Sequence, residues 1–153
     1  MIEARLKELG ITLPSQPAPA ANYLPFVKVG NLVFISGQIT SLNGDLKFVG
    51  KLGRDYTVEE GSEAAQICAL NILAHLKAAC EGNLDNVTRC IRLGGFVNCT
   101  EDFKDQPKVI NGASDLMVAV FGENGRHARA ALGVSSLPFG VAVEVEALFE
   151  VKE

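Results

Sequence analysis

The residue order predicts an α+β fold: a mixed β-sheet with two helices packed on one face. Three observations carry this. β-rich runs flank amphipathic segments, so the chain reads strands, helix, strand, helix, strands. Thr57-Val58-Glu59-Glu60 has capping-box spacing, and Ala64, Ala65, Cys68, Ile72, Leu73 and Leu76 continue an apolar stripe as far as Gly82. Hydrophobic residues make up 48% of 153 and the mean hydropathy is +0.20, so a sheet covered on one side by only two helices has another apolar side to hide. That side is expected to form the core of an oligomer.

Taken in order, Met1 to Leu13 sets Ile2, Leu6 and Leu9 at helical spacing among Glu3, Arg5, Lys7 and Glu8. It reads as a short docking helix, without the uninterrupted apolar core of a secretory signal. Leu13 to Ala21 holds three prolines, which forbid regular pairing and predict a linker or surface-hugging arm. Residues 1–21 are therefore expected to be helix and Pro-rich arm, and residues 22–153 a single domain. Phe26 to Ile39 predicts two strands joined at Gly30-Asn31. A loop at Asn43-Gly44-Asp45 leads to an expected short strand, Leu46 to Gly50, and a glycine-punctuated stretch to Asp55. The long helix follows Thr57. Asn86 to Asn98 reads as a strand interrupted at Gly94-Gly95, and a second helix is expected from near Pro107 or Ser114 to Phe121, closed by Gly122. The last two strands are Arg126 to Val134 and Val141 to Glu146.

Composition narrows the function classes. The net charge is −4 and the 14 basic residues are scattered, so the electrostatic footprint of nucleic-acid binding is missing. No apolar run is long enough to span a membrane. Four cysteines, Cys68, Cys80, Cys90 and Cys99, form no CxxC pair and are expected to be reduced thiols. A cytoplasmic location is the expectation. Metal binding needs several converging ligands, whereas His75 and His127 lie on different elements. No glycine stands in a phosphate-loop pattern, and Ser36-Gly37 is not a GxSxG elbow. Neither metal nor organic cofactor is expected. Cys68 and His75 share a helix face two turns apart, too far for a nucleophile–base pair, and read as core packing.

The chemistry is expected near the C-terminus, where Gly125-Arg126-His127-Ala128-Arg129-Ala130-Ala131-Leu132-Gly133-Val134 precedes a glutamate-bearing strand. Strand alternation places Arg129 on a face with Ala131 and Gly133, over open space. A guanidinium cannot lose its proton, and its planar fork fits a carboxylate; a solvated arginine or an interface ion pair is the competing reading. His127 reads as a strand-end histidine bonded to a neighbour, with acid or base chemistry held in reserve.

Three blocks resemble the RidA (YjgF/YER057c/UK114) family: Gly30 to Gln38, the Ala128-Arg129 strand, and Leu137-Pro138 through Val143-Glu144-Val145-Glu146-Ala147. The interval from Arg129 to Glu144 agrees with the family's without a gap. The resemblance implies a chorismate-mutase-like homotrimer with clefts between subunits. It also implies hydrolysis of reactive imines or enamines, of the kind derived from 2-aminoacrylate, to 2-oxo acids and ammonia without a cofactor. By the same resemblance Arg129 binds the substrate carboxylate, Glu144 lies near the water, Ser36 and Gly37 line the cleft, Tyr23 is the N-terminal tyrosine and Asn111 a cleft asparagine. Departures mark a divergent branch: His127-Ala128 replaces a proline-containing lead into the arginine, Ala131 stands where a small polar residue or cysteine is common, and the arm is longer. The alternatives are a non-catalytic small-carboxylate-binding module and an endoribonuclease or translation inhibitor.

Overall fold

The computed structural model describes residues 1–16 and 22–153, so the end of the proline-rich arm, 17–21, lies outside the described residues. A five-stranded mixed sheet runs β1 (Phe26–Val29), β2 (Leu32–Gln38), β7 (Val143–Val151), β5 (Val87–Asn98), β6 (Ala128–Val134), and all neighbours are antiparallel except β5 and β6. A parallel pair needs a crossover, and helix α3 (Gln106–Phe121) supplies it. Helix α2 (Val58–Ala79) packs on β2 and β7, and α3 on β5 and β6, so both lie on one face.

Each boundary has a local cause. At α2 the Thr57 side chain accepts from Glu60 N and the Glu60 side chain accepts from Thr57 N, a reciprocal cap worth about 0.5–2 kcal/mol. Pro107 sits in the first turn of α3, where no backbone donor is needed. Gly112 lets α3 approach α2 closely: a Cβ there would come within 2.7 Å of Ser62 Oγ. β7 alternates strictly, with Val143, Val145, Ala147, Phe149 and Val151 buried and Glu144, Glu146, Leu148 and Glu150 on the other face.

Two stretches depart from expectation. The run from Leu46 to Gly50 is no strand. β3 (Ser41–Leu42) and β4 (Asp45–Leu46) close a hairpin over Asn43 and Gly44, after which Phe48 takes φ 50° and only Val49 bridges to Val141. Tertiary contact decides this: the Phe48 carbonyl accepts from Ala142 N, and its ring meets Tyr56 edge-on at 5.4 Å. Gly94-Gly95 does not interrupt β5, which is continuous. Gly95 is needed because Ile110 of α3 presses on it, with side-chain atoms 2.6 Å from where a Cβ would stand.

Helix α1 (Ile2–Glu8) docks as expected: Arg5 Nε donates to the Ala119 carbonyl at 2.8 Å, Ile2 N donates to Asp85, and Leu6 is buried. The arm then crosses toward β3, where Gln16 Nε2 donates to Asn71 Oδ1. No helix among the described residues is long and apolar enough to cross a membrane. The second sheet face carries Val27, Val29, Phe34 and Leu132, each between 46% and 60% exposed.

Candidate active site

Arg129 lies on the edge strand β6, in register with buried Leu93, so it points to the helix side of the sheet. It does not hang over open space, because α3 crosses the beginning of β6. Nη1 donates to Asn111 Oδ1 at 2.8 Å and to Ser114 Oγ at 3.1 Å, and Nη2 donates to the Pro107 carbonyl at 3.4 Å. These partners recur at i, i+4 and i+7, one stripe of α3. A guanidinium has about five N–H donors. Nε–H and one Nη2–H have no partner among the described residues. The orientation of the side chain is thus fixed by the helix.

His127 joins the same network. Its Nδ1 lies 2.6 Å from the Gly125 carbonyl, which can only accept, so a neutral ring carries its proton on Nδ1. Nε2, 2.9 Å from Ser114 Oγ, then accepts from that hydroxyl, which leaves the Ser114 oxygen facing Arg129 as an acceptor. The order is Arg129 to Ser114 to His127 to Gly125, every donor meeting an acceptor. Sequence reading placed His127 as a bonded strand-end residue but missed Ser114. The available signal was the spacing of Pro107, Asn111 and Ser114 on one helix stripe. Beside the network opens a cavity of about 430 Å³ lined by Ser114, Asp115, Val118, Arg126, His127 and Arg129.

The other candidates gather on the opposite face. Ser36 and Gly37 form a bulge, two residues of β2 facing one of β7, between the Ile35–Ala147 and Gln38–Val145 pairs. Over that bulge lies the Glu144 carboxyl: a Cβ on Gly37 would come 3.0 Å from Glu144 Cδ and 3.3 Å from Cγ. Only glycine allows this approach. Partial burial, then the charge of Glu146, holds the Glu144 carboxyl above the usual carboxylate range. Glu146 shares the face but is 3.4 Å from Arg92 Nη1, whereas Glu144 has no ion-pair partner among the described residues. Ser36 Oγ donates to the Leu24 carbonyl at 2.6 Å, tying the segment next to Tyr23 to the bulge, and Tyr23 itself is 55% exposed.

Arg129–Asn111 and Glu144–Ser36–Gly37 therefore form two separate clusters on opposite sides of one sheet. Glu144 is in register with Phe96 and Arg129 with Leu93, residues of opposite parity on β5. Elsewhere, no group of three or more metal-ligating side chains occurs among the described residues. Burial pushes the Cys68 thiol up and lowers the His75 pKa, which suits packing rather than nucleophilic work.

Residues 3–150 match the model of a family described as "YjgF/chorismate_mutase-like, putative endoribonuclease". Among curated proteins, the chain is 48% identical over 150 residues to Protein TCP17 of Trypanosoma cruzi, covering 97% of this chain and 93% of that one. It is 28% identical over 138 residues to a 2-iminobutanoate/2-iminopropanoate deaminase of Dermatophagoides farinae, covering 90% and 92%. Among solved structures, protein Atu1372 of Agrobacterium tumefaciens, of unknown function, superposes with a TM-score of 0.92 at 50% identity, covering 99% of this chain and 92% of that one.

Proposed function

The chain belongs to the YjgF/chorismate mutase-like family, and from that premise we propose that it is an imine or enamine deaminase that hydrolyses reactive imino acids to 2-oxo acids and ammonia. The observation that carries the reading is the pre-aimed Arg129, a cation held by α3 with two donors unspent beside an open cavity. The deaminase named among its relatives supports the substrate class. In this reading Arg129 clamps the substrate carboxylate and Asn111 steadies it. Glu144, its basicity raised by burial, takes a proton from the water that attacks the imine carbon. Ser36, Gly37 and Tyr23 line the approach. The C=N carbon gains the hydroxyl, the nitrogen gains the proton, and collapse of the carbinolamine releases ammonia and leaves the 2-oxo acid. An already electrophilic imine asks little: a positioned base contributes about 10² to 10⁴ in rate, and orientation of the water adds to it.

The two clusters lie on opposite faces of one sheet, so a complete site takes Arg129 and Asn111 from one copy and Glu144 with the Ser36–Gly37 bulge from a neighbour. The exposed Val27, Val29, Phe34 and Leu132 favour burial of that face, and the oligomer of this reading is a homotrimer with three intersubunit clefts.

Co-expression tests both claims. Arg129→Ala and Glu144→Gln should each abolish ammonia release from imino acids generated in situ. Co-expressed, they should recover part of it, because mixed trimers contain some clefts with both native residues. Recovery no greater than the sum of the separate variants would remove the intersubunit site, and wild-type protein without ammonia release would remove the deaminase.

A further inference from the structure

We infer that the cavity beside Arg129 is a dianion site, in which Arg126 selects imino and 2-oxo acids carrying a second acidic group; the inference rests on the reading of Arg129 as a carboxylate clamp. Two arginines, Arg126 and Arg129, line one cavity of about 430 Å³ against a single acidic residue, Asp115. Two arginines against one aspartate leave the lining with an excess of positive charge. A dianion gains more from that field than a monoanion.

The roles of the two arginines differ. Arg129 is committed to α3 through Asn111, Ser114 and Pro107. Among the described residues Arg126 is committed only through its backbone: its N–H donates to the Glu123 carbonyl at 3.2 Å and its carbonyl accepts from Arg89 Nη2 at 2.8 Å. Its guanidinium makes no ion pair among the described residues, although Asp115 lines the same cavity. The root is fixed and the fork unspent. His127 is no ligand candidate, since both ring nitrogens are already engaged.

Geometry limits the ligand to a short diacid. Arg126 is three residues from Arg129, so their Cα atoms lie no more than about 10 Å apart, and both residues line the one cavity, within reach of the two ends of a small molecule. Val118, 40% exposed, lines the same cavity and offers apolar surface for the intervening carbons.

The test compares 2-oxoglutarate with 2-oxopentanoate, which has the same chain length and one carboxylate, by calorimetric titration of the full chain. Wild type should bind the diacid about five- to ten-fold tighter at low salt, with the preference narrowing as ionic strength rises because Arg126 is exposed. Arg126→Ala and Arg126→Gln should both bring the diacid down to the affinity of the monoacid. Equal binding of the two acids by wild type, or a preference that survives both Arg126 variants, overturns the inference and leaves the clamp standing. Arg129→Ala separates the premise: it should weaken both acids, and unchanged binding of both would overturn the clamp and the dianion site together.

Discussion

Replacing Gly37 with alanine should uncouple catalysis from stability. The new methyl would press on Glu144, 3.0 Å from Cδ and 3.3 Å from Cγ, with Oε2 closer still, so the carboxyl must retreat by about 1 Å. A displacement of that size from a reacting centre costs up to about 100-fold in rate. A fall in kcat/KM of roughly 10- to 100-fold follows, or about 1.4–2.8 kcal/mol of transition-state stabilisation. Stability should hardly move. The group displaced is the end of a flexible side chain, and alanine in a strand constrains the unfolded chain by about 0.4–1 kcal/mol in its favour. Gly95→Ala is the counterpart. Its methyl would meet three side-chain carbons of Ile110, all within 2.7 Å, in the core, where overpacking costs about 1–3 kcal/mol. The assays are ammonia release from oxidase-generated imino acids and thermal melting of both variants. A Gly37→Ala protein that keeps wild-type kcat/KM but melts earlier would refute the placement of Glu144 over the bulge as the working base.

Further outcomes follow from Arg129, His127 and Glu144. Arg129→Lys should fail nearly as badly as Arg129→Ala, weakening 2-oxo acid binding by roughly 30-fold or more, because an ammonium keeps the charge but not the fork; full rescue by lysine in a calorimeter would make Arg129 a mere point charge. Both variants also untie β6 from Asn111 and Ser114, so each should lose about 1 kcal/mol of stability in denaturant titration. His127→Ala should raise KM several-fold with kcat little changed, and His127→Gln, which restores an acceptor for Ser114, should recover most of it; equal damage from both would deny the relay. Burial and then Glu146 raise the Glu144 pKa, so the folded state binds this proton more tightly than the unfolded chain. Stability should therefore decline as pH climbs from the ordinary carboxylate range through the folded pKa, and Glu144→Gln should flatten that decline. The acid limb of kcat/KM should lie above the ordinary range and shift downward in Glu146→Gln, which a pH–rate profile measures directly.

Local signals were enough for much of this protein. The capping box at Thr57 and Glu60 set the start of α2, Gly122 closed α3 while its start stayed open between Pro107 and Ser114, and alternation along β7 already put Glu144 and Glu146 on one face. The motif blocks around Ser36-Gly37, Arg129 and Glu144 were legible because they are short and contiguous. What only the tertiary structure decided depends on contacts between distant residues. Alternation gives Arg129 a face but not an occupant of that face, and α3, arriving through the parallel crossover, fills it with Asn111 and Ser114. The 12-residue strand β5 carries Gly94-Gly95 without interruption because Ile110 packs where a side chain would stand, a requirement that no local propensity expresses. Phe48 leaves the expected strand because Ala142 and Tyr56 hold it. The separation of Arg129 from Glu144 belongs to the same class: they are 15 residues apart in a chain read along its length, yet the registers of β6 and β7 on β5 turn them to opposite faces. Strand period fixes relative orientation within one strand, whereas orientation between strands is set by long-range pairing.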